Sequence, residues 1–277
     1  MQILAVTSHV VYGHVGGQAA ILALQRLGHE VWHAPTVLFS NHPGHNGFRG
    51  EAVAPELLTA LLDGVAERGW LADCAALHIG YLGRPETVDV VTSIIARARA
   101  ANPDLLVSCD PILGDAGRVY VADGILEAMR DRLLPHCDIV TPNAFELSLL
   151  TGRPADDATA AMADLHARGP RIVVCTSAAV DEDRITTLLH TADATFAVRA
   201  PAFSSAPHGT GDLFAALFLG RYLTSADPAA ALAHAAAATH DVIAAGNAAG
   251  ADELPLVDTQ DRLVAPGLRL EIETLSG

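Results

Sequence analysis

Leu105-Leu106-Val107-Ser108-Cys109-Asp110-Pro111-Ile112-Leu113-Gly114-Asp115 begins as an apolar run without polar alternation and ends on two carboxylates. A strand with one wet face alternates; a run like this belongs to a strand buried on both faces. Ile3–Thr7, Glu30–Leu38, Ala76–Tyr81, Ile139–Thr141 and Arg171–Thr176 share the pattern. Helical patterns separate them, over Gly17–Leu27, Pro55–Arg68, Pro85–Ala101, Gly124–Leu134 and Asp157–Arg168. Strand–helix–strand repetition predicts an α/β fold with a central, mainly parallel sheet, right-handed crossovers and helices on both faces. Ile185–His190 and Thr195–Arg199 predict a later hairpin on the sheet edge, and helices follow from Gly211. No repeat, linker or charge block divides the chain, so residues 1–277 are expected to form a single domain.

The 277 residues are 51% hydrophobic and 18% charged, enough for a substantial core and incompatible with disorder of the whole chain. A net charge of −15 argues against a nucleic-acid or anionic-membrane surface, whose affinity comes from cationic side chains. All 17 basic residues are arginine. Without lysine there is no lysine Schiff base and no Walker-A P-loop. Cys74, Cys109, Cys137 and Cys175 form no CxxC pair, and their apolar surroundings fit buried free thiols. The N-terminus starts as an apolar strand without the basic region of a signal peptide. The alanine-rich stretch Ala229–Ala249 is interrupted by His234, His240 and Asp241, so it reads as a packed helix and not a membrane span. A cytoplasmic location is expected.

In an open α/β sheet, ligands bind beyond the carboxyl ends of the strands. Here the apolar runs end in Thr7-Ser8-His9, Ser40-Asn41-His42, Gly80-Tyr81, Asp110-Pro111, Thr141-Pro142-Asn143 and Thr176-Ser177. Polar sets at one edge point to a crevice there. The sharpest feature is Pro207-His208-Gly209-Thr210-Gly211-Asp212-Leu213-Phe214, a glycine turn running into a helix. Its first amides offer an anion site that needs no lysine, and could stabilise a transferring phosphoryl group. Asp212 then suits a base that takes a hydroxyl proton; the alternative is a first-turn carboxylate that favours the helix dipole. Asp110 and Asp115, with Asn143 and Glu146, supply hard oxygens suited to Mg²⁺ carried on nucleotide phosphates. Asn143 and Glu146 also have the spacing of a capping box, and both roles can hold together. His9, His14, His42 and His45 have no zinc spacing and read as ligand-lining or solvated loop residues.

Taken together, Ser8-His9-Val10-Val11-Tyr12-Gly13-His14-Val15-Gly16, Phe39-Ser40-Asn41-His42, Gly80-Tyr81-Leu82-Gly83, Asp110–Asp115, Thr141–Glu146 and Gly209–Asp212 resemble the pyridoxal kinase family of the ribokinase-like superfamily. The resemblance runs from Ile3 to the Leu254–Arg262 segment. It implies a ribokinase-like three-layer α/β/α sandwich and ATP- and Mg²⁺-dependent phosphorylation of the 5′-hydroxyl of pyridoxal, with pyridoxine and pyridoxamine as related acceptors. Asp212 resembles the catalytic base, and Gly209, Thr210 and Gly211 the anion hole. Ser8, Val15, Val37, Phe39, Pro43 and Tyr81 line the vitamer pocket. Asp110, Tyr120, Asn143, Thr176, Ser177, Thr210 and Gly211 match nucleotide-binding positions, with Tyr120 on a lid. Asp110, Asp115 and Glu146 match those organising Mg²⁺, often beside a monovalent cation such as K⁺. The resemblance also implies a homodimer.

Pro43 stands where a threonine contact is common, Gly17 where asparagine is usual, and Phe48 where tryptophan is common. The lid at Ala116-Gly117-Arg118 is short. Most of these departures fall on the acceptor side. The competing expectations are a hydroxymethylpyrimidine kinase of thiamine biosynthesis and a non-catalytic vitamer sensor.

Overall fold

The computed structural model describes residues 1–275 apart from 155 and 182; the expected domain's last two residues, 276 and 277, lie outside that set. The strands are β1 (Gln2–Val10), β2 (Glu30–Phe39), β3 (Gly50–Ala52), β4 (Cys74–Ile79), β5 (Leu106–Cys109), β6 (Gly114–Asp115), β7 (Arg118–Val119), β8 (Ile139–Val140), β9 (Ile172–Val180), β10 (Arg184–His190), β11 (Thr195–Pro201) and β12 (Glu273–Leu275). The helices are α1 (Gly17–Arg26), α2 (Pro55–Glu67), α3 (Thr87–Ala101), α4 (Ile125–Ala128), α5 (Ala144–Thr151), α6 (Ala158–His166), α7 (Thr210–Ser225), α8 (Pro228–Ala249) and α9 (Gln260–Val264).

One ten-stranded sheet has the order β12-β11-β10-β9-β8-β5-β4-β1-β2-β3. From β9 to β2 every pairing is parallel. Both faces are covered, which is why those strands lack alternation. Leu4 and Val6 of β1, Leu77 and Ile79 of β4, and Val107 of β5 enter one core with α2, α3, α5 and α6. Ile3, Ala76, Ile172 and Val174 enter a second core, with α1, α7, α8 and α9. The result is the expected three-layer α/β/α sandwich.

The hairpin β10–β11 forms as expected, but it is not the edge. Three residues of β12 pair outside it, and β3 adds antiparallel to β2 at the other end. Both edge strands are too short to leave a period in the sequence. The expected helix Gly124–Leu134 is also interrupted. Helix α4 gives way to a π-turn over Met129–Leu133 and a 3₁₀ turn over Leu134–His136, where Pro135 cannot continue an α-helical hydrogen-bond ladder.

The alanine-rich segment is helix α8, buried along Ala231, Ala235 and Ala238. Asp227 caps it by accepting from the amides of Ala229 and Ala230, each at 3.0 Å, and Gly250 ends it in the left-handed region that favours glycine. Among the described residues no helix is long and apolar enough to cross a membrane. The four cysteines are free and buried. Phe218 of α7 is fully buried in the second core. Phe218→Ala is expected to cost about 3–5 kcal/mol, read as a lower denaturant midpoint with little change in slope.

Candidate active site

The order of the sheet reverses at β1: the chain steps from β1 out to β2, then returns to the other side of β1 with β4. Open α/β sheets bind ligands beyond such a switch point. Here the two strand ends touch. A Cβ on Gly80, just after β4, would lie 2.3 Å from Thr7 Oγ1, so only glycine fits. Thr7 Oγ1 is itself buried without a hydrogen-bond partner, an orphaned polar atom at the floor of the crevice.

The expected acceptor residues sit at the ends of β1, β2 and β4. Ser8 is buried in β1, directly beneath Gly16, whose Cβ would fall 1.9 Å from Ser8 Oγ. Val15 and Val37 are buried. Phe39 ends β2 and packs against Phe48, with ring centroids 4.4 Å apart. Tyr81 is partly buried after β4, and its carbonyl accepts the Thr36 hydroxyl. Pro43 is exposed on the rim.

On the other side of the switch point, Asp110 follows β5 and is buried, with the Thr141 hydroxyl donating to Oδ1 at 3.2 Å. Asn143 caps α5 and forms the capping box with Glu146. The same two residues also hold the base of the β6–β7 hairpin. Glu146 Oε1 accepts from the amides of Leu113 (2.9 Å) and Gly114 (3.3 Å), and Oε2 from that of Asn143 (2.9 Å). Asn143 Nδ2 donates to the Gly114 carbonyl at 2.9 Å. The hairpin β6–β7, on which Tyr120 follows, is thus tied at its base. Asp115 is exposed, and its Oδ1 accepts from the amide of Ala116. Its charge nevertheless reaches Glu146, which burial raises and Asp115 helps to raise. Asn143 bridges to Thr176 in β9, and Ser177 next to it has φ 51°, a strained conformation for a serine of the kind that gathers at functional sites.

The glycine turn joins the two sides. Gly209, at φ 87°, would place a Cβ 2.2 Å from the His14 carbonyl oxygen. Thr210 donates to the Pro207 carbonyl at 2.7 Å. Helix α7 has no side-chain cap, which leaves its first amides available to an anion. A Cβ on Gly211 would be 3.6 Å from Asp110 Oδ2, so the helix start faces the acidic side.

Electrostatics single out three carboxylates. Burial raises Asp212 to about 6, against a pull downward from a Gly16 backbone hydrogen bond. Burial, then Glu146 and Asp212, push Asp110 well above the ordinary carboxylate range. Glu146 is raised by burial to about 7 even with three amide donors pulling it down. Uncompensated carboxylates turned toward one another form a site that gains by receiving a cation. Among the described residues no three His, Cys, Asp or Glu side chains are arranged to hold a metal on their own. Hard oxygens without a closed cage fit Mg²⁺ that keeps waters and is shared with phosphates.

Glu253 is the site-adjacent residue that sequence reasoning missed. Its Oε2 accepts from the His14 amide at 2.9 Å and its Oε1 contacts His45 Nε2 at 2.7 Å. More than 200 residues separate these partners, and no motif marks a lone glutamate.

A carboxylate in the first turn of an uncapped helix, beside buried carboxylates across the switch point of a doubly covered parallel sheet, is the arrangement of a ribokinase-like small-molecule kinase. The profile of the phosphomethylpyrimidine kinase family matches residues 13–257, and the chain belongs to that family. Within it the chain is 38% identical to pyridoxal kinase PdxY of Corynebacterium diphtheriae over the whole of both chains. It is 40% identical to pyridoxal kinase PdxY of Rubrobacter xylanophilus, over 100% of this chain and 98% of that one. Among solved structures it is similar to the pyridoxal kinase of Leishmania donovani in complex with ADP and pyridoxamine, with a TM-score of 0.95, 31% identity and 99% of each chain covered.

The shift on Asp212 carries a stability consequence. Its folded value lies above the ordinary 3.8, so the folded state holds the proton longer and stability falls as pH rises from about 3.8 to about 6. Asp212→Asn removes that cost. Discounted for partial exposure, the gain at pH 7.5 is about 1–2 kcal/mol, seen as a melting temperature about 2–4 °C higher. The difference from the parent should shrink toward zero below pH 4.

Proposed function

We propose that this chain transfers the γ-phosphoryl group of ATP to the 5′-hydroxyl of pyridoxal, and that Asp212 is the base. The observation that carries this is Asp212 itself, a carboxylate held near 6 by burial in the first turn of an uncapped helix. A base with that affinity is mostly ionised at neutral pH yet still binds a proton usefully in the transition state.

The acceptor hydroxyl gives its proton to Asp212 as its oxygen bonds to the γ-phosphorus and the bond to the ADP oxygen breaks. Charge on the transferring group is met by the amides of Gly209, Thr210 and Gly211, already oriented by the turn. Asp110 and Asp115 would hold the Mg²⁺ that neutralises nucleotide phosphate charge, Glu146 setting their segment through its three amide hydrogen bonds. K⁺ would serve alongside as the monovalent cation. Asn143, Thr176 and Ser177 line the nucleotide side, and Tyr120 covers it. Ser8, Val15, Val37, Phe39 and Tyr81 enclose the flat ring of the acceptor. Phosphoryl transfer asks little covalent chemistry of the protein, so this positioning is most of the catalysis. The chain would act as a single domain, in a cytoplasmic homodimer.

The names of the relatives support pyridoxal as acceptor, as does the pyridoxamine bound by the Leishmania donovani enzyme. A hydroxymethylpyrimidine acceptor is the second reading, favoured by the family's own description and by departures on the acceptor side at Gly17, Pro43 and Phe48.

Turnover with ATP and Mg²⁺ is to be measured on pyridoxal, hydroxymethylpyrimidine and ribose in parallel. Pyridoxal is expected to react fastest; faster pyrimidine turnover would select the second reading. Asp212→Ala should lower kcat roughly 10²–10⁴-fold while pyridoxal binding, followed by calorimetry, stays near the parent's. Near-normal kcat in that variant would sink the assignment of the base. In the parent, kcat/KM should fall as pH drops through about 6.

A further inference from the structure

Three imidazoles meet on the rim where the acceptor side touches the start of α7. His42 and His45 lie on the 40–49 segment that follows Phe39, and His208 immediately precedes Gly209. The His42 and His208 rings stack, with centroids 4.0 Å apart and planes 25° from parallel. His45 stands edge-on to both, at 6.4 Å from His42 and 6.3 Å from His208. No side chain would fit at Gly44, whose Cβ would lie 2.8 Å from His208 Nε2 and 2.9 Å from His42 Nδ1.

The hydrogen bonds assign a protonation state. The Gly44 amide donates to His42 Nδ1 at 3.0 Å, so that nitrogen carries a lone pair and the ring is neutral. His45 is paired at 2.7 Å with Glu253 Oε1, while Glu253 Oε2 accepts from the His14 amide. Tyr12 meets His45 edge-on at 6.2 Å. The titratable groups around the cluster are therefore His14, His42, His45, His208, Tyr12 and Glu253, with one carboxylate among them; Arg49 closes the segment and is exposed. A proton on His42 Nδ1 breaks the bond from Gly44, and the one carboxylate nearby, Glu253, is already engaged by His45 and the His14 amide.

We propose that His42, His45 and His208 are positioning residues that together latch the 40–49 segment over the acceptor pocket, and that the latch holds only while the His42 ring is uncharged. Resting on the proposed kinase activity, this makes acceptor KM, separately from the base, depend on pH. Burial, then His208 and His45, press His42 down to about 4, with Glu253 pulling the other way. An imidazole in an opened, solvated segment titrates near 6.5. Latch stability is thus complete above about 6.5 and is lost as pH falls toward about 4.

The test compares the parent with His42→Phe, which keeps a ring to stack on His208 and removes the titrating nitrogens, and with His208→Ala, which removes the stack. KM for pyridoxal at pH 5.5 over that at pH 7.5 should be roughly tenfold in the parent and close to one in His42→Phe. His208→Ala should show a raised KM at both pH values. Ionisation of pyridoxal and of Asp212 is common to all three proteins and cancels in the comparison. Hydrogen exchange over residues 41–47, corrected for intrinsic rates, reads the latch without any turnover. Protection is expected to fall at pH 5.5 in the parent and to persist in His42→Phe. Equal KM ratios in the parent and His42→Phe, or protection in the parent that ignores pH, overturns the latch. Loss of protection as expected in a protein that phosphorylates no pyridoxal would leave the latch standing and remove the kinase assignment instead.

Discussion

Burial of both faces of the parallel strands is the constraint from which the site follows. Leu4 and Val6 point into one core while Ile3 points into the other, so a polar side chain within β1, β4 or β5 is desolvated on either side, as His78 and Ser108 are, each with a buried atom that has no partner. Polar groups are tolerated at the strand ends, and parallel strands from β9 to β2 bring those ends to one edge. Asp110 comes directly after Cys109, which is fully buried. The chemistry begins one residue beyond the core.

That position is expensive. Asp110 and Glu146 are carboxylates withdrawn from water, with the half-buried Asp212 in electrostatic reach of Asp110, and desolvation together with like charge works against the folded state. Three amide donors to Glu146 offset part of this, that of Asn143 within the capping box and those of Leu113 and Gly114 from the base of the β6–β7 hairpin. Glu146 thus both completes the cap of α5 and anchors that hairpin. Perturbed carboxylates of this kind collect where a proton or a cation must be handled, and stability is given up for function there.

A chain without lysine has to meet phosphate charge by other means. In the proposed reaction the uncapped start of α7 would do so with backbone amides, which bring no mobile cationic side chain into the crevice. The acceptor side is bound to this helix start at two points. Gly209 packs against His14 and Val15, and His42 stacks on His208. The segments that the proposed reaction would use to position acceptor and phosphoryl group therefore lean on each other.

Much of this was legible in the chain. Apolar runs without alternation specify strands buried on both faces; glycines followed by Asp212 specify a helix start with a carboxylate in its first turn; Asn143 and Glu146 carry their capping box in their spacing. Each rests on interactions between residues a few positions apart, which sequence records directly. The short edge strands β3 and β12 and the contact of Glu253 with His14 and His45 were decided only in the tertiary structure. Pairing partners for β12, and for Glu253, lie far along the chain, and short segments hold no periodicity of their own. The sequence determined which residues could bear charge at the strand ends; packing alone determined which of them face one another, because burial and proximity, not residue type, set their proton affinities.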